Sequence, residues 1–177
     1  MVEAVIDIGT IEVRRSQKEL WREGSLMPEW ARRFPELFDE QDVRIAETQP
    51  AYHFMEWLAA IVLYHATGYR ALVEKYQYPK HPRKREIVAK LLPDDVLRVL
   101  RDRTEHGSVQ GPDLLMYAPD MSDWFFCEVK GPGDRLRSEQ MGKFKALATV
   151  SGKPVRYLWL KWSPAPGRTA AGWTLPP

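Results

Sequence analysis

Asp113, Glu128 and Lys130 are the residues of this sequence whose types and spacing best suit them for chemistry. Leu114–Tyr117 and Trp124–Lys130 read as two short strands, with Ala118–Asp123 as a polar turn between them. Side chains alternate across a strand, so Phe125, Cys127 and Val129 face one way and Phe126, Glu128 and Lys130 the other. A hairpin folded about Asp120–Met121 sets residue 113 opposite residue 128. Two carboxylates then converge beside a lysine, where Gly131-Pro132-Gly133 ends the strand. Like charges so placed repel one another unless a cation lies between them. Mg²⁺ or Mn²⁺ is the natural guest, since such ions take carboxylate, water and phosphate oxygens, and the Val129 carbonyl is a further candidate ligand. An ion held there binds a phosphate and acidifies a coordinated water, with Lys130 orienting that water or balancing transition-state charge. An acidic-x-Lys triplet by itself is weak, because about one is expected by chance in a chain of this charge content. A solvated strand end is the bland alternative. The combination is rarer, and Glu128-Val129-Lys130 is the only such triplet in the chain. Asp120 also follows a proline but belongs to the turn tip, too far along the hairpin to face Glu128.

These residues need elements to hold them. Tyr52–Thr67 has apolar residues at helical spacing, with Gly68 as a stop. Tyr69–Tyr78 reads as a strand and Pro79–Arg85 as a basic loop. Helices follow over Glu86–Leu92 and Asp94–Arg103, divided by Pro93, and then a loop through His106-Gly107-Ser108. After the hairpin, Ser138 is placed to cap a helix whose Met141, Phe144, Leu147 and Ala148 point inward. Gly152 and Pro154 close that helix, and Val155–Trp162 makes a last strand. Upstream, Val2–Val13 suggests a short strand pair turning near Gly9, and 16–23 and 28–38 are helical, with Pro28 at a helix start. Asp7, Asp39 and Asp42 read as solvated. The order predicts a mixed α/β domain with a central sheet flanked by helices. It divides into an N-terminal helical extension over 1–50, a core over 51–162 with a helical insertion at about 79–106, and a Pro/Gly-rich tail over 163–177.

Composition sets the class. At 177 residues and 44% hydrophobic, the chain can build one folded domain. The net charge of +2 says little, but the basic residues bunch. Lys80, Arg83, Lys84 and Arg85 with His81 form one cluster; Arg135, Arg137, Lys143 and Lys145 form another. Such clusters suit a phosphate backbone, or else an ordinary solvated surface. The single cysteine, Cys127, excludes an intrachain disulfide and, with no signal-peptide layout and no apolar run long enough for a bilayer, points to the cytoplasm.

Pro112-Asp113 with Glu128-Val129-Lys130 resembles the motif of the PD-(D/E)XK nuclease superfamily, and Phe126-Cys127-Glu128-Val129-Lys130-Gly131-Pro132-Gly133-Asp134-Arg135-Leu136, with Gln140 after it, resembles its VRR-NUC branch. The resemblance covers about residues 110–162. It implies a restriction-endonuclease-like core and a metal-dependent phosphodiesterase acting on DNA, with junctions, flaps or other branched forms as substrates and a homodimer as one assembly. It also implies that Gln140 positions water or phosphate and that Glu56, on the first long helix, adds a carboxylate to the metal. Arg135 holds a phosphate or else pairs with Asp134 or Glu139, and Lys143, from the same basic cluster, is a further candidate contact to nucleic acid. His53, one turn before Glu56, is more ordinary as a helix-end histidine. A non-catalytic nucleic-acid-binding module on the same fold is the alternative. A protein-interaction domain using the Trp-rich N-terminal segment is a third reading.

Overall fold

The computed structural model describes residues 3–73, 75–76, 80–102 and 111–164. The expected loop at 106–108 and the tail from residue 165 lie outside the described residues. Five strands form one sheet: β1 (Val5–Val13), β2 (Arg70–Leu72), β3 (Leu114–Tyr117), β4 (Trp124–Lys130) and β5 (Val155–Trp162). Their order is β1-β5-β4-β3-β2. β4 and β1 run parallel to β5, whereas β3 is antiparallel to both β4 and β2. All seven residues of β4 are buried, as expected of a central strand covered on both faces.

Alternation along β4 divides the core in two. Phe125, Cys127 and Val129 pack with the helices α1 (Arg15–Arg22), α2 (Leu26–Arg33) and α4 (Phe54–Thr67). Trp124 and Phe126 pack with α5 (Pro82–Leu91), α6 (Asp94–Arg101) and α7 (Ser138–Ser151). α4 is apolar almost all round and buried accordingly, and it stops at Gly68, which adopts φ 73. The remaining helix, α3 (Glu40–Glu47), is capped by Asp39, whose Oδ1 accepts from the Gln41 and Asp42 amides at 3.0 and 3.1 Å.

Several expectations change, among them the basic loop, whose residues from Pro82 to Arg85 form the first turn of α5. Val2–Val13 is not a strand pair: β1 is a single strand pairing with β5, bulged between Asp7 and Thr10, where Gly9 takes φ 119 and its amide donates to Asp7 Oδ1. The first fifty residues therefore contribute a strand to the sheet as well as helices. The helix expected over 28–38 is α2, which begins earlier, with Pro28 in its first turn, and ends at Arg33. The strand expected over 69–78 is confined to Arg70–Leu72 among the described residues. Ser138 is the first residue of α7 and makes no capping bond; the Gln140 carbonyl oxygen instead accepts from the Arg137 amide at 3.4 Å. Trp21 and Trp30, offered above as a contact surface, are buried and lie 5.6 Å apart, with Trp57 5.2 Å from Trp21. That removes the basis for an N-terminal docking face. Among the described residues, no helix is long and apolar enough to cross a membrane.

Candidate active site

β3 and β4 bring the motif together. Leu114 pairs with Cys127 in the antiparallel ladder, which continues to place Asp113 opposite Glu128. Asp113 Oδ2 accepts from the Val129 amide at 2.8 Å, fixing the aspartate to the neighbouring strand. Lys130 Nζ donates to Glu128 Oε1 at 2.6 Å and to Gln140 Oε1 at 3.2 Å. Gln140 Nε2 donates back to Glu128 Oε1 at 2.9 Å. Gln140 stands one turn into α7, so the helix that follows the Gly-rich stop returns its side chain to the strand it just left.

The electrostatics are those of a site short of positive charge. Burial pushes the Asp113 carboxyl well above the usual carboxylate range, and the charges of Glu128 and Glu56 push it further. The Val129 amide and Lys130 oppose this without reversing it. Glu128 is also raised, because burial outweighs Lys130 and its hydrogen bond. Glu128 is 2% exposed and Lys130 7%, so solvent screens little of this. A divalent cation suits such a donor set, carboxylates gathered at one cleft at a cost that a cation would relieve. Asp113, Glu128, the Val129 carbonyl and Glu56 would hold it.

A polar cleft of about 660 Å³ opens over these groups. It is lined by Glu56, Asp113, Glu128, Val129, Lys130 and Gln140, together with Arg135. Glu56 arrives from the first turn of α4, on the opposite side of the sheet from α7. Arg137, from the second basic cluster, also borders the cleft, as do Asp134 and Glu139, to which the sequence had assigned no role in the site. Their position just after the Gly-rich stop was the signal. Asp134 Oδ2 accepts from the Gly131 amide at 2.8 Å, which closes the turn beside Lys130. His53 sits before α4 with φ 70 and contacts Gln49 at 3.1 Å, so it serves the helix entry.

The basic residues divide differently from the expectation. Arg135, Lys80 and Arg85 are exposed. Lys143 is not a surface cation: it is 1% exposed and donates to the carbonyls of Leu100 and Asp102 at 2.9 and 3.2 Å, neutralising the C-terminal end of α6. Lys84 is likewise buried and pairs with Asp42 at 2.6 Å. Arg83 donates to the carbonyls of Glu36 and Leu37 at 3.2 and 3.0 Å and pairs with Asp39 at 3.4 Å. These three cations are committed to internal partners, so they do not form the expected phosphate-binding surface. Asp42, read as solvated, is fully buried.

Asp39, Asp42 and His81 bring three potential ligand atoms within 4.8 Å of one another. Lys84 and Arg83 already supply the compensating charge there, and His81 Nε2 is 2.9 Å from Asp39 Oδ1. A divalent ion would have to displace a buried lysine, so this cluster reads as an ion-pair network between α3 and α5.

Comparison with known proteins bears on both the fold and the cleft. No curated protein matches the chain. Among solved structures, paFAN1 bound to 5′-flap DNA with a gap is similar over 47% of this chain and 16% of that one, at 26% identity and a TM-score of 0.40. A second paFAN1 structure, with a 1-nucleotide flap, has 26% identity and a TM-score of 0.38 over the same shares. This chain thus spans a small part of that larger protein. The VRR-NUC domain family matches residues 56–157, which run from Glu56 through the hairpin and α7 into β5. The mixed sheet with helices on both faces is the restriction-endonuclease-like α/β core expected of such a chain. With more than half of its residues matched, and the cleft residues Glu56, Asp113, Glu128, Lys130 and Gln140 inside that span, the chain belongs to the VRR-NUC domain family.

Proposed function

We propose that this protein is a metal-dependent endonuclease hydrolysing DNA phosphodiesters, guided by junctions, flaps or other branches more than by sequence. The observation that carries the reading is the pairing of two carboxylates, the half-buried Asp113 and the buried Glu128, beside a buried lysine in an open polar cleft. A binding module gains nothing from carboxylates aimed at a phosphate backbone, whereas a hydrolase uses them. Bound Mg²⁺ or Mn²⁺ would supply Lewis acidity toward the phosphate and a more acidic water.

The chain's own residues do the rest. Asp113 keeps its orientation through the Val129 amide. Glu128 is held by Lys130 and Gln140, which both bond to Oε1. Lys130 presents its ammonium to the attacking water or to the charge that develops on phosphate. Gln140 bridges Glu128 and Lys130 and so sets the geometry of both. Arg135 at the cleft, and Lys80 and Arg85 at the surface, serve the flanking phosphates. Cys127 is fully buried, consistent with a protein of the reducing cytoplasm.

The test is cleavage of labelled duplex, single-stranded, flap and four-way-junction DNA with Mg²⁺, Mn²⁺ or EDTA. Wild type is run beside Asp113→Ala and Lys130→Ala. Cutting that requires metal and disappears in both variants supports the reading and identifies the preferred branch. Tight binding without cutting under every metal condition replaces it with a non-catalytic DNA-binding module.

A further inference from the structure

The cleft explains what holds the carboxylate of Asp113 but not what holds its backbone. Asp113 follows Pro112 and sits one residue before β3 begins, repelled by Glu128 and Glu56. Its side chain accepts from the Val129 amide, and its side chain and amide also bond to Glu128. Beneath it lies Tyr76, which comes from the segment between β2 and α5 and is fully buried. The Tyr76 ring stacks on Phe126, with centroids 6.3 Å apart and planes 17° from parallel. Its hydroxyl donates to the Pro112 carbonyl at 2.8 Å. That carbonyl belongs to the same rigid peptide plane as the Asp113 amide, so fixing one fixes the other.

We propose that Tyr76 is a positioning residue for the candidate metal ligand Asp113, its hydroxyl clamping the Pro112–Asp113 peptide so that the carboxylate faces Glu128 with its geometry set in advance. This rests on the reading of Asp113 as a metal ligand. Tyr76 then holds the carbonyl of the peptide before the residue, Glu128 its amide and Val129 its side chain. Without the first, repulsion between carboxylates can be relieved by backbone rotation. A pre-set pair spares the ion the work of pulling two like charges together, and this raises its affinity. Burial and the charges of Asp113 and Glu128 hold the Tyr76 phenol well above its ordinary pKa, so it stays a donor throughout the working range.

A purely structural tyrosine would affect stability and leave the ion alone. The measurement is therefore Mn²⁺ binding by calorimetry on the full chain, for wild type, Tyr76→Phe, Phe126→Leu and Asp113→Asn. Folding is checked by circular dichroism, and cleavage is titrated with metal in parallel. Tyr76→Phe is expected to weaken Mn²⁺ binding about five- to tenfold, the scale of one lost hydrogen bond. Its cleavage rate should recover to within about twofold of wild type at excess metal, because the clamp acts on binding rather than on the chemical step. Phe126→Leu keeps the hydroxyl and disturbs the same packing, so it should lower the melting temperature while Mn²⁺ affinity holds. Unchanged affinity in Tyr76→Phe, with Asp113→Asn losing binding, overturns the proposal and leaves the nuclease reading intact. Equal weakening by Phe126→Leu also overturns it, since the effect would then be general loosening. Mn²⁺ binding that survives Asp113→Asn refutes the ligand reading itself, and the clamp with it.

Discussion

Two clusters of largely buried charge stand on different elements of this molecule, and they are balanced differently. Between α3 and α5, Asp42 and Asp39 meet Lys84, Arg83 and His81, and each carboxylate has its own cation. At the end of β4, among the described residues, Lys130 pairs with Glu128, and Asp113 faces the negative charges of Glu128 and Glu56. The first cluster lowers the pKa of Asp39, where burial acts the other way but the His81 hydrogen bond and neighbouring cations prevail; the second raises both of its acids. A cluster whose carboxylates each meet a cation holds elements together. One left short of positive charge is poised for a cation and substrate. Proximity of Asp and His alone points to the Asp39, Asp42 and His81 cluster, where Lys84 and Arg83 already stand beside the carboxylates.

The largest effect that would test this contrast is kinetic. Lys130→Ala should slow cleavage roughly 10²–10³-fold at saturating metal, the usual range for losing one preorganised charge at a reacting centre. Asp113→Asn should abolish metal-dependent cutting yet leave the metal-free protein as stable as wild type or more so, because it removes a buried repulsion. Chemical denaturation with EDTA present measures this. A clear loss of stability in Asp113→Asn would mean that the site is balanced after all.

The balanced cluster should respond the other way. Lys84→Met leaves Asp42 buried without its partner and should cost about 3–5 kcal/mol of stability. The cleavage rate of the folded fraction should hold. Replacing Asp42 as well, as Asp42→Asn with Lys84→Met, should recover part of that loss.

Acid titration of stability separates the two clusters by sign. Asp113 and Glu128 bind protons more tightly folded than unfolded, so without metal their contribution falls as pH rises from the ordinary carboxylate range through their raised values. Asp39 has a lowered folded pKa, so its contribution is present above the ordinary carboxylate pKa and disappears as pH drops through the folded one. Asp113→Asn should flatten the first slope, Asp39→Asn the second, and Mn²⁺ should oppose the first only. Urea midpoints across pH 3–7, an interval of about the usual carboxylate titration range, report both.

The smallest effect concerns the cations outside both clusters. Arg135→Ala should weaken DNA binding and reduce the salt slope by about one unit. Lys143→Met should leave the slope unchanged and cost about 1–2 kcal/mol of stability, because its ammonium serves the end of α6. Equal salt slopes for the two variants would show that the structure has misassigned them.

The motif hairpin was legible because its information is local. Alternation along 124–130, a polar turn and a glycine-rich stop set both strands and the register, and the structure has them at the expected residues. The bounds of β5 and the Gly152 stop of α7 follow from equally local signals. Lys143 offered a weaker clue: it lies one turn before Leu147, on the inward side of α7, where a surface cation does not belong. Asp42 and Lys84 gave no such clue. Their partners are forty-two positions apart in the chain, and charged residues look solvated until a partner is found.

By itself, then, the sequence determined the periods, the turns and the carboxylate–lysine geometry of one hairpin, because neighbouring residues along a strand have little freedom in how they face. Only the tertiary structure decided that β1 joins β5 across most of the chain, that Glu56 enters the cleft from the other side of the sheet, and that Asp42 finds its cation in Lys84. Those are long-range pairings, chosen by burial and charge compensation among elements whose sequences carry no mark of one another.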